Sequence, residues 1–155
     1  MLYFAYGSKM DFREMRTHCP SARFVAVARL PDSRLDFTAY SSTHECGVAD
    51  AVPYHGASVW GVVYEVAEID FARLDVSEGY IPGRPDHEND CVREQRHVLR
   101  DGHAHDPILV WLYRARRMPH SPVPSSAYKG LMVEAARYWH LPADYIEQLQ
   151  RVEAA

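Results

Sequence analysis

The chain has 155 residues, of which 47% are hydrophobic and 25% are charged, and its formal net charge is -4. This length fits a single domain spanning residues 1–155, and the composition is typical of a folded globular protein rather than a disordered or fibrous one. No cluster of lysine and arginine is longer than Arg114-Ala115-Arg116-Arg117, which speaks against a nucleic-acid partner.

Six segments rich in β-branched and aromatic residues predict six strands, at residues 2–6, 22–30, 34–40, 58–66, 91–99 and 108–114. Pro31-Asp32-Ser33 predicts a hairpin turn between the second and third strands, and Asp101-Gly102 predicts another after the fifth. Residues 41–57 mix small, polar and histidine side chains and are expected to form a loop. The sheet is therefore expected to be largely antiparallel.

Helices are predicted between and after these strands. Residues 11–17 form a short one that Asp11 can cap, with Glu14 three residues on, and residues 68–75 form another. The clearest signal runs from residue 126 to 139, where apolar side chains recur at the spacing of one buried helix face: Tyr128, Leu131, Met132, Ala135, Ala136 and Trp139. Pro142 starts a last helix. Strands followed by a helical pair indicate an α+β fold.

The cysteines and the pattern of hydrophobic residues indicate in which cellular compartment the protein is expected. Cys19, Cys46 and Cys91 are odd in number and widely spaced, which indicates free thiols in a reducing environment. No segment approaches the run of about 18 apolar residues that a membrane-spanning helix needs. The sequence therefore predicts a cytoplasmic protein with no membrane partner.

The run Tyr3-Phe4-Ala5-Tyr6-Gly7-Ser8-Lys9-Met10 predicts an aromatic strand that breaks at a Gly-Ser turn just before a helix. Gly7 lets the backbone bend without a Cβ penalty, and the free N–H groups of a helix start can bind an anion or a polar oxygen. The same pattern also suits an ordinary connector. Gly7-Ser8-Lys9 does not fit a phosphate-binding P-loop, which needs an earlier glycine and places lysine before the hydroxyl residue.

Glu78 is the strongest candidate for acid–base chemistry. It follows a predicted helix in Ser77-Glu78-Gly79-Tyr80, where partial burial against aromatic side chains would disfavour the charged carboxylate and suit it to proton transfer near neutral pH. The alternative is a solvated loop carboxylate or an ion-pair partner of Arg84.

Nine histidines invite a metal hypothesis. His103-Ala104-His105-Asp106 and His44-Glu45-Cys46 supply ligand types at short range, but neither has the spacing of a known zinc site. No bound metal is expected.

Several separated segments resemble the gamma-glutamylcyclotransferase (AIG2-like) family, in the same order and over nearly the whole length. They are the Tyr-Gly-Ser loop at residues 3–8, the strands at residues 20–30, 34–37 and 59–64, Leu74-Asp75-Val76-Ser77-Glu78-Gly79-Tyr80, and Pro124-Ser125-Ser126-Ala127-Tyr128-Lys129.

This resemblance implies a small, mixed, mostly antiparallel β-barrel flanked by helices, and a cofactor-free gamma-glutamylcyclotransferase. Such an enzyme converts a γ-glutamyl amino acid or peptide to 5-oxoproline and the free amino acid by intramolecular aminolysis. Glu78 matches the family's catalytic glutamate and would act as the general base. The expected substrate-binding residues are Tyr3, Phe4, Ala5, Tyr6, Gly7, Ser8, Lys9 and Tyr128.

Lys9 departs from the family, which usually has asparagine after Tyr-Gly-Ser. A lysine there can pair with a substrate carboxylate or point to solvent. Tyr128 also fits the apolar face of its helix as a simple core residue. Two alternative functions stay open: a gamma-glutamylamine cyclotransferase acting on γ-glutamyl amines or a biosynthetic intermediate, and a non-catalytic metabolite-binding relative. Because members of the family are often dimers, the expected partners are a small γ-glutamyl substrate and a second copy of the chain.

Overall fold

A computed structural model of the protein describes residues 1–120 and 122–155. Within those residues, five strands close into a barrel in the order β1-β3-β2-β4-β5, and four α-helices flank it. Strand β1 pairs antiparallel with β3 and parallel with β5, and the other pairings are antiparallel. The predicted α+β, mostly antiparallel barrel is thereby confirmed.

The elements have the following bounds. The strands are β1 Leu2–Ala5, β2 Arg23–Ser41, β3 Cys46–Glu65, β4 Cys91–Arg100 and β5 Pro107–Ala115. The helices are α1 Phe12–His18, α2 Glu68–Glu78, α3 Ser126–Tyr138 and α4 Ala143–Gln150, with short 3-10 helices at Ser8–Met10 and Asp86–Glu88.

Two clusters of buried side chains lie on opposite faces of the strands. Residues from all five strands, among them Phe4, Val63 and Leu112, form one cluster that fills the barrel. Residues from the other face, among them Tyr3 and Tyr113, pack with side chains of the helices in the second cluster. Because successive side chains of a strand point to opposite faces, a single strand such as β1 serves both clusters.

Strands β2 and β3 form one long antiparallel hairpin, which differs from the prediction. The hairpin turn predicted at Pro31-Asp32-Ser33 is wrong, because these residues lie inside β2 at a shift in register against β3. Asp32 adopts a positive φ of 50°, and its carboxylate accepts a hydrogen bond from the N–H of Gly56 at 3.1 Å. The turn chemistry therefore makes a bulge rather than a chain reversal.

The loop predicted at residues 41–57 is mostly strand as well. Only residues 42–45 form a turn, and Cys46 already begins β3. The six predicted strands are therefore five, with the second and third joined into β2.

The predicted helices are present, with changes at their ends. The carboxylate of Asp11 caps α1 by accepting a hydrogen bond from the N–H of Glu14 at 2.9 Å. Helix α2 is longer than predicted and includes Glu78 as its last residue, and Gly79 ends it in the left-handed conformation with a φ of 77°. In the described parts of the chain, no helix combines the length and apolar character needed to cross a membrane.

Leu112→Ala is expected to lower the free energy of unfolding by about 2–5 kcal/mol, because the lost side chain leaves a cavity inside the barrel. Leu109 lies on the same strand but is 47% exposed, so Leu109→Ala is expected to change that free energy by less than about 1 kcal/mol. Chemical denaturation of both variants measures the difference. Equal losses would contradict the assignment of the inward face of β5.

Candidate active site

A cleft of about 630 Å³ lies where β1 ends. Parts of the chain that are distant in sequence line it, including the loop after β1, the tip of the β2–β3 hairpin and the end of α2. Most of the predicted site residues meet there: Tyr3, Tyr6, Gly7, Ser8, Lys9, Glu78 and Tyr128. Phe4 and Ala5 do not line the cleft, because both are completely buried, Phe4 within the barrel and Ala5 under the helices.

Tyr128 connects the loop after β1 to the β2–β3 hairpin. Its hydroxyl oxygen accepts hydrogen bonds from the N–H of Ala49 at 3.2 Å and from the N–H of Ser8 at 3.4 Å. A Cβ on Gly7 would lie 2.7 Å from that oxygen, so a side chain at this position would displace the hydroxyl. Burial raises the pKa of Tyr128 well above its usual value, and the hydroxyl therefore keeps its proton as a donor.

Lys9 and Glu78 form an ion pair in the cleft. Nζ of Lys9 lies 2.6 Å from Oε1 of Glu78, and the two side chains are 10% and 26% exposed. The partner of Glu78 is therefore Lys9 and not Arg84, which donates instead to the backbone carbonyl of Glu88. A helix dipole disfavours a negative charge at the last residue of a helix, and the ammonium group of Lys9 compensates that effect.

A second set of contacts fixes the helix that carries Glu78. One turn earlier in α2, the buried Asp75 forms an ion pair with Arg93 of β4 at 2.8 Å and accepts a hydrogen bond from the hydroxyl of Tyr113 in β5 at 2.5 Å. The guanidinium of Arg93 also lies 4.8 Å from the ring centre of Tyr80, just beyond the helix. The last turn of α2 is thus attached to two strands of the barrel.

Ser8, Glu14 and His44 form a polar cluster beside the Gly7-Ser8 turn. Oε1 of Glu14 accepts a hydrogen bond from Oγ of Ser8 at 3.2 Å and lies 3.2 Å from Nε2 of His44, which is itself 3.5 Å from the serine oxygen. Because one imidazole nitrogen faces both the serine and the carboxylate, the cluster lacks the relay of a serine hydrolase, in which the acid binds the other nitrogen.

The ionisation of Glu14 reflects the balance of its surroundings. Burial opposes the charged form, but the hydrogen bonds from His44 and Ser8 and the positive charge of Lys9 together lower its pKa. Sequence reasoning missed Glu14 and His44 as neighbours of the loop. The only available signal was the capping spacing of Asp11 and Glu14, since the approach of His44 depends on the hairpin fold.

Across residues 1–120 and 122–155, no group of three or more histidine, cysteine, aspartate or glutamate side chains is arranged to hold a metal ion. His103 and His105 lie in the turn between β4 and β5.

The chain is similar to proteins of one family over nearly its whole length. The model of the AIG2-like family matches residues 58–149. Gamma-glutamylcyclotransferases from Homo sapiens and Mus musculus are each 33% identical to it over 156 residues, which cover 98% of this chain and 78% of each relative. A solved structure of a gamma-glutamyl cyclotransferase has a TM-score of 0.88 and 31% sequence identity, covering 100% of this chain and 89% of the other.

Tyr128→Phe is expected to lower the free energy of unfolding by about 1–3 kcal/mol, because the N–H groups of Ser8 and Ala49 lose a buried acceptor while the ring stays in place. Tyr138→Phe, a change of the same kind at a residue of α3 that is 67% exposed, is expected to have almost no effect. Urea denaturation compares the two. A stable Tyr128→Phe variant would show that the hydroxyl does not hold the loop.

Glu14→Gln is expected to make stability less sensitive to acid. Because the folded-state pKa of Glu14 lies below its ordinary value of 4.5, the carboxylate stabilises the fold above that pH, and this contribution is lost as the pH falls through the lowered folded value. The difference in unfolding free energy between wild type and variant should therefore shrink below pH 4.5. Glu134→Gln, at an exposed position of α3, is the control. A difference independent of pH would contradict this assignment.

Proposed function

The chain belongs to the gamma-glutamylcyclotransferase family, and on that premise we propose that it converts a γ-glutamyl amino acid to 5-oxoproline and the free amino acid. The observation that carries the proposal is the shared cleft, in which the carboxylate of Glu78 and the Gly7-Ser8 turn meet although Ser8 and Glu78 are 70 positions apart in the sequence. Membership in the family indicates which reaction to expect, and the cleft contains side chains and backbone groups that suit this reaction.

In the proposed reaction the substrate provides its own nucleophile. The α-amino nitrogen forms a bond to the γ-carbonyl carbon, the bond from that carbon to the leaving nitrogen breaks, and two protons pass from the attacking to the leaving nitrogen. Water is not consumed. The enzyme has to hold the glutamyl chain in a folded shape, move the protons and stabilise the negative charge that develops on the carbonyl oxygen.

Glu78 is proposed as the general base that accepts a proton from the α-ammonium group and returns it to the leaving nitrogen. Two features support this role. Lys9 binds Oε1, whereas no hydrogen bond from the described residues reaches Oε2, which leaves that oxygen available to a substrate proton. The attachment of Asp75 to Arg93 also fixes the helix end, so the carboxylate needs little rearrangement before proton transfer.

The Gly7-Ser8 turn and Tyr128 are proposed to hold the γ-carbonyl oxygen. The hydrogen bond from the N–H of Ser8 to the hydroxyl of Tyr128 is long, at 3.4 Å, so a substrate oxygen can replace it at little cost. Tyr128 keeps its proton and can donate to the same oxygen. Two donors that converge on one oxygen are the arrangement that stabilises a developing oxyanion.

Arg116 favours an amino acid over a plain amine as the leaving group. It lines the cleft, and none of the ion pairs among the described residues includes it, since it is the neighbouring Arg114 that pairs with Glu94. A cation in this position can bind the carboxylate of a departing amino acid, which a simple amine lacks.

A cytoplasmic setting in glutathione metabolism and assembly as a homodimer belong to the same proposal. The three cysteines are free and buried, which suits a reducing compartment. Burial raises the pKa of Cys19 to about 11 and that of Cys91 to about 12, so both thiols stay protonated and unreactive near neutral pH.

The test is the release of 5-oxoproline from a panel of γ-glutamyl dipeptides and γ-glutamyl amines, with and without a chelator. We expect chelator-insensitive release from the wild type, a preference for dipeptides, and a fall in kcat of at least about 100-fold in Glu78→Gln, because the variant has no general base. Glu68→Gln, at the exposed first residue of the same helix, is the matched control.

The outcomes separate the alternatives. A preference for γ-glutamyl amines would place the enzyme with the amine-specific cyclotransferases. A Glu78→Gln variant with full kcat would remove Glu78 as the base. No product from any donor would contradict the proposed activity and favour a metabolite-binding protein.

A further inference from the structure

Lys9 is a buried cation with unused hydrogen-bond donors in the cleft. Its side chain is 10% exposed and belongs to the cleft lining. An ammonium group carries three N–H donors, and among the described residues its nitrogen has one hydrogen-bond partner, Oε1 of Glu78. Up to two donors therefore remain for a ligand that enters the cleft.

The charge of Lys9 has to be compensated even when Glu78 is protonated. A buried ammonium group is costly unless an anion compensates it. In the free protein Glu78 is that anion, but Glu78 loses its negative charge each time it takes a proton from the substrate. Lys9 then needs a second anion within reach. Glu14, a carboxylate at this end of the loop, is already bound by His44 and Ser8.

The positive charge of Lys9 affects two titratable side chains near it, Glu14 and His18. Its charge contributes to lowering the pKa of Glu14, and it adds to the effect of burial in lowering the pKa of His18. The charge of Lys9 therefore acts on groups beside the Gly7-Ser8 turn, where the substrate is proposed to bind.

We propose that Lys9 binds the α-carboxylate of the γ-glutamyl substrate while it holds Oε1 of Glu78, and that it thereby directs the α-amino group to Oε2 of Glu78. This inference rests on the proposed function. The α-carboxylate and the α-amino group are attached to the same carbon atom, so fixing the first at Nζ brings the second beside the carboxylate that must deprotonate it. The substrate anion also compensates Lys9 while Glu78 carries the proton.

The experiment compares two donors that differ only in the α-carboxylate. γ-Glutamyl-alanine carries it, whereas 4-aminobutanoyl-alanine lacks it and would cyclise to 2-pyrrolidinone. In Lys9→Met we expect kcat/KM for γ-glutamyl-alanine to fall at least about tenfold more than kcat/KM for 4-aminobutanoyl-alanine, because a charged hydrogen bond is lost only with the first donor. Lys9→Arg is expected to restore most of the discrimination between them.

Lys129 provides a matched control, because it is the other lysine of the chain. Its Nζ donates to the backbone carbonyls of Gln150 and Val152 at the end of α4. Lys129→Met removes a positive charge and two hydrogen bonds to backbone carbonyls outside the cleft, and it is expected to change stability while leaving the ratio of the two kcat/KM values as in the wild type.

A binding measurement covers the case in which turnover of the second donor is too slow to follow or Lys9→Met does not fold. Calorimetric titration with 5-oxoproline, which keeps the carboxylate, and with 2-pyrrolidinone, which lacks it, is made on the wild type and on Lys9→Gln. We expect 5-oxoproline affinity to fall at least about tenfold in the variant and 2-pyrrolidinone affinity to stay unchanged.

Equal losses with both donors, or equal changes in both affinities, would overturn the inference and leave Lys9 acting through Glu78 alone. This failure differs from that of the proposed function. If the wild-type enzyme releases 5-oxoproline and Lys9→Met keeps the wild-type ratio of kcat/KM between the two donors, only the role of Lys9 is refuted. Wild-type protein that neither releases nor binds 5-oxoproline would refute both.

Discussion

Strand β1 closes the barrel, because it pairs with β3 on one side and with β5 on the other. Its side chains alternate between the barrel interior and the layer under the helices, so burial on both faces fixes its register. Its last residue, Ala5, is completely buried, and the chain bends at Gly7 almost immediately afterwards. The position of the Ser8 N–H in the cleft is therefore set by the closure of the barrel and not by the loop alone.

The same closure determines the electrostatics of the cleft. Lys9 lies four residues after the end of β1, in the 3-10 helix Ser8–Met10. Glu78 ends a helix that Asp75 attaches to β4 and β5 through Arg93 and Tyr113. The ammonium group and the carboxylate are thus brought together by two separate attachments to one barrel. Each charge alone would be costly at this depth, and together they hold each other in a fixed geometry. The structure is therefore organised for proton transfer before any ligand enters.

The sequence patterns correctly predicted the structural features that are determined by residues close together in the chain. The cap of α1 by Asp11 and the turn at Asp101-Gly102 were both identified, because residues nearby in sequence decide them. Pro31-Asp32-Ser33 has the chemistry of a hairpin turn and of a bulge alike, and only the distant pairing with β3 makes it a bulge. Closure into a barrel came from the family resemblance, since strand patterns alone indicated only an antiparallel sheet. Charge and spacing likewise could not pair Lys9 with Glu78, because the fold alone joins them.

The tip of the β2–β3 hairpin, residues 42–45, contributes Ser42, Thr43 and His44 to the cleft wall, whereas the strands behind it belong to the barrel. A hairpin tip can lengthen, shorten or change composition at a small free-energy cost, because the entropy of loop closure grows only slowly with length. The wall of the cleft can therefore diverge during evolution while the floor, built on β1 and α2, is inherited unchanged. One ancestral chemistry can in this way be adapted to different substrates by insertions and deletions at a single turn.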